Sequence, residues 1–539
     1  MSRRRLVVLG NVVVLAAAAL AAAALGSGSR HASTALTAPP AATGASAVSP
    51  SAATAGPSAT VAAGSGSGSG SAPHAAARPP AALPWRRCEG GSYECLSLPV
   101  PLDRAHPQAG TIRLALIRLP AANRASRIGT LVINPGGPGA SGYDWVRDSA
   151  PSVMSAALRS HFDLLGFDPR GVGRSAAVDC ESDAKLDELF HADPVPRTSR
   201  GRATYARESL ALTRGCQQRS GRVLAHVGTA EAAADIESIR VALGEAKISY
   251  FGFSYGTYLG AQWLQQFPST VRAAVLDGAL DPSLDLVGFV AGQAKAFDAA
   301  LVRFFDWCDR DASCAYHSGS PAAGRFDLLA RAVAQRPLPA GGGRTLGTGE
   351  LQYGVGYGMY SRYLWPRLAQ SLQDATAGRG RGLLDMSDSY LSRGPDGSYD
   401  SSFESNLAVN CVDHAGPRNE QGWYDAARRA ARTAPRLGFA IVYTSLACAT
   451  WPVPARPAVR IDGAGAPPVV VVGGRHDPAT PYSWAVALHK DLLRSRLITR
   501  DRDASGDGHT SYGGISPCTV RYVDAYLLKG ALPPAGARC

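Results

Sequence analysis

Three short stretches of this 539-residue chain hold the residue types of a serine nucleophile and its helpers. Gly252, Ser254 and Gly256 form G-x-S-x-G between an apolar run, Ile248 to Phe253, and a helix-competent run with Leu259, Ala261, Trp263 and Leu264. This spacing suits a nucleophile elbow, a tight strand-to-helix turn that lifts one hydroxyl clear of its surroundings. Glycines flank it because side chains would clash in so sharp a turn. Further on, Asp477 follows the apolar run Val469 to Val472, and His509 stands between Gly508 and Thr510. A histidine can take the serine proton while a carboxylate holds its tautomer and stabilises the imidazolium. With 59 glycines in the chain, G-x-S-x-G could arise by chance. Ser254 therefore depends on Asp477 and His509 reaching it.

The pattern around these residues supplies the means. Tyr93–Val100, Thr111–Leu119, Thr130–Ile133, Phe162–Phe167, Ile248–Phe253, Ala273–Asp277, Val469–Val472 and Leu497–Thr499 read as strands. A helix opens at Thr229, with Ala232, Ile236, Ile239 and Leu243 on one face and Gly244 as its stop. Alternating strands and helices predict a mostly parallel sheet covered on both faces. In such a sheet the strand C-termini share one edge, where Ser254, Asp477 and His509 can converge. Nucleophile, acid, histidine is the chain order of α/β-hydrolases. His476 precedes the acid, where the order demands something later, and Asp507 is a rival carboxylate.

An oxyanion needs backbone N–H groups aimed at it. One is expected from Tyr255, next after the nucleophile. The other is expected from the glycine turn Pro135-Gly136-Gly137-Pro138-Gly139. Proline cannot donate, so the donor is Gly136 or Gly137, with Gly137 preferred. The turn lacks the Lys-Ser/Thr of a phosphate-binding loop.

Residues 1–30 resemble an export signal: Arg3-Arg4-Arg5, an apolar stretch from Leu6 to Leu25, then small residues. The stretch nears membrane-spanning length, so an uncleaved anchor is the alternative. Residues 31–84 are mostly Ala, Ser, Gly, Pro and Thr, a linker or pro-segment with almost no large apolar side chain to bury. Folded sequence starts near Trp85. The first part of an α/β core is expected over 85–280, a helical cap over 281–440 and the rest of the core over 441–539. Helices are read at Phe289–Cys308, Leu351–Asp374 and Gly380–Leu391. The ten cysteines all follow the signal and contain no C-x-x-C, which fits disulfides in an oxidising compartment. Pairing of neighbours (88–95, 180–216, 308–314, 411–448, 518–539) keeps each loop local. The net charge of +12 could suit an anionic partner, but its arginines are scattered singly rather than clustered, which argues against nucleic acid.

The set N-P-G-G-P-G (134–139), D-P-R-G-V-G-R-S (168–175), G-F-S-Y-G-T-Y-L-G (252–260), V-L-D-G-A-L-D-P (275–282), N-C-V-D-H (410–414), D-P-A-T-P (477–481) and G-H-T (508–510) resembles the secreted tripeptidyl and prolyl aminopeptidases of the α/β-hydrolase fold. The resemblance runs from about Trp85 to the end. It implies a serine exopeptidase that uses no metal or cofactor and releases tripeptides, or single residues such as proline, from free peptide N-termini. It also implies a helical cap carrying a carboxylate for the substrate's α-ammonium. Asp413 in N-C-V-D-H is the residue expected there, with Glu404 second. Since fold and triad do not fix the acyl substrate, a secreted esterase or lipase-like hydrolase is the alternative. A non-catalytic cell-surface module on the same fold is the reading from another class.

Overall fold

The computed structural model describes residues 83–457, 459–502 and 506–539. The expected signal or anchor, and almost all of the expected linker, lie outside the described residues.

Alternation of side chains builds the sheet from the inside. In the strand Ile248–Phe253, Tyr250 faces one hydrophobic cluster, while Phe251 and Phe253 face another on the opposite side. In Val469–Gly474, Val469 and Val471 take the first side, and Val470 and Val472 the second. A strand apolar on both faces belongs inside a sheet covered by helices on both faces. Ten strands make up the sheet: β1 (Arg86–Cys88), β2 (Tyr93–Pro101), β3 (Thr111–Leu119), β4 (Gly129–Asn134), β5 (Phe162–Phe167), β6 (Ile248–Phe253), β7 (Val271–Asp277), β10 (Val469–Gly474), β11 (Ser495–Arg500) and β12 (Ala537–Arg538). Their order is β1-β2-β3-β5-β4-β6-β7-β10-β11-β12. The first three pairings are antiparallel and the rest parallel. The C-terminal ends of β4, β6, β7, β10 and β11 therefore share one edge.

Between β7 and β10 the chain is helical, apart from the hairpin β8 (Leu338–Gly341) and β9 (Arg344–Leu346). The helix expected over Leu351–Asp374 is two, Thr348–Met359 and Trp365–Thr376. Pro366 lies in the first turn of the second, the helical position proline tolerates best. A helix at Ser402–Asp413 was not read from the sequence. It lies against the glycine turn so closely that a Cβ on Gly139 would stand 2.3 Å from the Ser402 carbonyl. Phe304, Phe305, Trp365 and Leu368 give these inserted helices their own apolar cluster.

All ten cysteines pair with the neighbours expected. Among the described residues no helix is long and apolar enough to cross a membrane.

Candidate active site

β6 ends at Phe253 and a helix begins at Tyr255, leaving Ser254 to turn the corner at φ +56° and ψ −127°. A non-glycine residue in that region is strained, and surrounding contacts must hold it there. Its N–H donates to the Asp277 carbonyl at 2.9 Å, and its carbonyl accepts the Thr257 hydroxyl at 2.6 Å. A Cβ on Gly252 would stand 2.2 Å from the Gly256 carbonyl, and one on Gly256 would stand 2.6 Å from that of Asn134. Both glycines of the motif are thus sterically required.

Asp477 follows β10 and His509 follows β11. His509 Nδ1 lies 2.9 Å and 3.0 Å from the two carboxylate oxygens of Asp477. The carboxylate also accepts the N–H groups of Ala479, Thr480 and Thr510. Burial works to raise the Asp477 carboxyl, but His509 and these donors outweigh it and hold it below its ordinary value. With Nδ1 occupied, Nε2 is buried without a hydrogen-bond partner. The rivals are engaged elsewhere: Asp507 pairs with Arg303, and His476 stands 3.9 Å from Asp507.

Two contacts that sequence reasoning missed hold the histidine loop. The His509 N–H donates to the carbonyl of Tyr360, an inserted-segment residue, at 2.8 Å, and Ser361 bridges Gly508 beside it. Asp277, at the end of β7, accepts the N–H groups of Ser511 and Tyr512 at 3.0 Å and 2.8 Å. Burial pushes its carboxyl up to about 6. The V-L-D-G stretch containing Asp277 was visible in the sequence, without a task attached to it.

At the glycine turn, the Gly136 N–H already donates to Asn134 Oδ1 at 3.0 Å. Gly137, the preferred candidate, lines the cavity below. A Cβ on Gly136 would lie 2.7 Å from Ser254 Cβ and 3.1 Å from the Tyr255 nitrogen. The turn and the first N–H of the elbow helix are therefore neighbours beside the serine. That N–H has no acceptor within its own helix.

Ser254, Gly137, His509 and Thr510 open onto one cavity of 1310 Å³, roofed by Phe289, Phe297, Tyr360, Phe403 and Leu407. Asn406 and Asn410, one helical turn apart, stand on its wall; Asn406 donates to the Pro138 carbonyl, and Asn410 donates to Asn406. The two expected amine anchors are not on that wall. Glu404 accepts the N–H groups of Cys180 and Glu181, both at 2.9 Å. Asp413 faces Thr229, at the start of the helix Thr229–Leu243. Both carboxylates sit on the same helix as the two asparagines, but turned to the protein interior rather than the cavity. The cavity-wall carboxylates are instead Asp144, Asp385, Asp388 and Asp400. Among the described residues no cluster of His, Cys, Asp and Glu is arranged to hold a metal.

The sheet order, with Ser254, Asp477 and His509 beyond the ends of β6, β10 and β11, defines an α/β-hydrolase-fold serine hydrolase. Residues 434–539 match the Abhydrolase_4 family, described as TAP-like protein. The chain is 36% identical to serine protease Hip1 of Mycobacterium tuberculosis, over 85% of this chain and 89% of that one. It is also 36% identical to the tripeptidyl aminopeptidase of Streptomyces coelicolor, over 85% and 86% of the two chains. Carboxylesterase B of M. tuberculosis is 35% identical over 83% and 86%. The chain belongs to the tripeptidyl aminopeptidase-like serine hydrolases of the α/β-hydrolase fold.

Proposed function

We propose that the protein is an exported serine exopeptidase that releases short peptides from free N-termini through an acyl-enzyme. The observation carrying this reading is His509: Asp477 fixes Nδ1, and the unpartnered Nε2 belongs to a side chain that shares a cavity with Ser254. As Ser254 Oγ bonds to the scissile carbonyl carbon, His509 takes its proton. The oxyanion forms against the Gly137 and Tyr255 N–H groups. Collapse breaks the C–N bond, and His509 returns the proton to the departing amine. Water, deprotonated by the same histidine, then releases the acyl group and restores Ser254.

The roofed cavity supports an exopeptidase because it favours chain ends over the middle of a long polypeptide. A buried ammonium needs an acidic partner; the wall carboxylates are Asp385 and Asp388, which would have to share it with Arg381 and Arg344, and Asp400, which accepts the Ser402 N–H. Five disulfides fit an oxidising compartment outside the cytosol. The likeness to carboxylesterase B favours the second reading, an esterase with the same nucleophile.

Purified protein assayed on chromogenic tripeptide, prolyl, N-blocked peptide and short-chain ester substrates separates the two readings. Cleavage of free-amine peptides is the expected outcome. Turnover of esters and blocked peptides alone would overturn the peptidase. Ser254→Ala is expected to abolish fluorophosphonate labelling and to lower kcat by about 10⁴-fold or more. Labelling that survived would place the nucleophile elsewhere.

A further inference from the structure

Asp413 stands off the cavity wall, and what it touches leads back to the elbow. Its Oδ1 accepts the Thr229 N–H at 2.9 Å, and its Oδ2 accepts the Thr229 hydroxyl. Thr229 is the first residue of its helix, and Gly228 before it has no side chain with which to cap it. The carboxylate supplies that cap from 184 positions away. Gly228 makes room for it, since a Cβ there would come 3.1 Å from Asp413 Oδ1. The same Thr229 oxygen lies 2.5 Å from the Tyr255 hydroxyl. All three residues are buried.

Hydrogen counting sets the direction. Burial works to raise the Asp413 carboxyl, against His414 and the two Thr229 donors. In its ionised form it has no proton to give, so Thr229 then spends its single hydroxyl hydrogen on Asp413. The Thr229 oxygen can then only accept from Tyr255 O–H. Each group is satisfied in one arrangement, Tyr255 to Thr229 to Asp413, and burial leaves no water to substitute. Tyr255 follows the nucleophile and carries the elbow-side oxyanion N–H. Its ring tip is held by the relay and its main chain by the strained turn at Ser254.

We propose that Asp413, acting through Thr229, is a positioning residue for the oxyanion hole: it anchors the Tyr255 side chain and thereby aims the Tyr255 N–H. This rests on the assignment of Ser254 as nucleophile. Asparagine at 413 breaks the order, because its amide donates toward Thr229 and turns the Thr229 hydroxyl back on Tyr255. The Tyr255 oxygen then accepts from Thr229, and its own buried hydroxyl hydrogen loses its acceptor, although side-chain volume is unchanged.

The experiment compares Asp413→Asn, Tyr255→Phe and the double variant with wild type at pH 8, on an ester and on a free-amine peptide. Active sites are counted by fluorophosphonate titration, so partial unfolding does not count as slow turnover. Each single variant is expected to lower kcat about 10-fold on both substrates, with KM within about twofold, a fraction of the loss from deleting an oxyanion donor. The double variant is expected to be no slower than the singles, because both cut one chain. Tyr255→Phe removes only one oxygen, so it keeps the test alive if Asp413→Asn folds poorly. Wild-type kcat in Tyr255→Phe, or additive losses in the double variant, would overturn the relay while leaving Ser254 in place. Loss confined to the free-amine substrate and expressed in KM would overturn it in favour of an amine anchor. Labelling that persisted in Ser254→Ala would remove the assignment beneath it.

Discussion

At the scale of single residues, this site is governed by what lacks a side chain. Ser254 holds a left-handed backbone because Gly252, Gly256 and Gly136 let three chain segments approach it. Gly136 has the least room. At φ +102° it disfavours any Cβ, and a methyl there would lie 2.6 Å from the Phe253 carbonyl. Gly136→Ala is therefore expected to lower kcat/KM at least about 100-fold, as loss of an oxyanion donor does, with far-ultraviolet circular dichroism unchanged. Near-normal turnover would show that the turn can shift without harm. Ser254, Asp477 and His509 could be brought together on paper because chain order and strand ends are sequence properties. The surroundings of Asp413 were not legible in the sequence, for a physical reason. A carboxylate in an inserted helix beside a cysteine reads the same whether it faces a cavity or caps another helix. The cap partner, Thr229, is too distant in sequence for any local pattern to reveal.

At the scale of elements, strands were easier to read than helices. Buried parallel strands are short apolar runs with glycine stops, and those over the first part of the core coincide with what the sequence predicts. The long helix Ser199–Leu224 escaped because its buried stripe, chiefly Tyr205, Leu212, Cys216 and Leu224, is sparse among arginines and serines. Ser402–Asp413 escaped because it is apolar on several sides and carries two buried carboxylates. One of them makes a titration that can be measured. Burial pushes Glu404 from an ordinary 4.5 up to about 7, against the pull of two backbone N–H groups. The folded state therefore holds a proton that the unfolded chain releases first. Stability from this group is complete below about pH 4.5 and is lost as pH rises through about 7. Glu404→Gln removes the term. Its Tm relative to wild type is expected to rise between about pH 5 and about 8. A constant offset across that range would mean that the carboxyl titrates normally.

At the scale of the molecule, the disulfides tie local excursions down rather than joining distant regions. The largest separations are 36 residues for Cys180–Cys216 and 37 for Cys411–Cys448. The latter fastens the helix carrying Asn406, Asn410 and Asp413 to the turn Thr444–Thr450, and Cys448 itself lines the cavity. Replacing both cysteines by serine is expected to cost about 4 kcal/mol in reversible denaturation, from the entropy of a loop this size. The same change is expected to raise KM more than it lowers kcat, since it loosens a wall rather than the nucleophile. A change in neither parameter would assign that bond to folding alone.

The bond from His509 N–H to the Tyr360 carbonyl bears on how such enzymes diversify. The histidine belongs to the sheet edge, yet the segment that roofs the cavity holds its backbone. To swing aside at this point, the roof would have to break both this bond and the Ser361–Gly508 bridge, and a replacement roof would have to restore them to hold the histidine loop. A chimera must keep the short stretch around Tyr360 and Ser361 as a fixed hinge-pin and vary the helices on either side of it. New pockets are then open to selection only where they leave that one strut untouched.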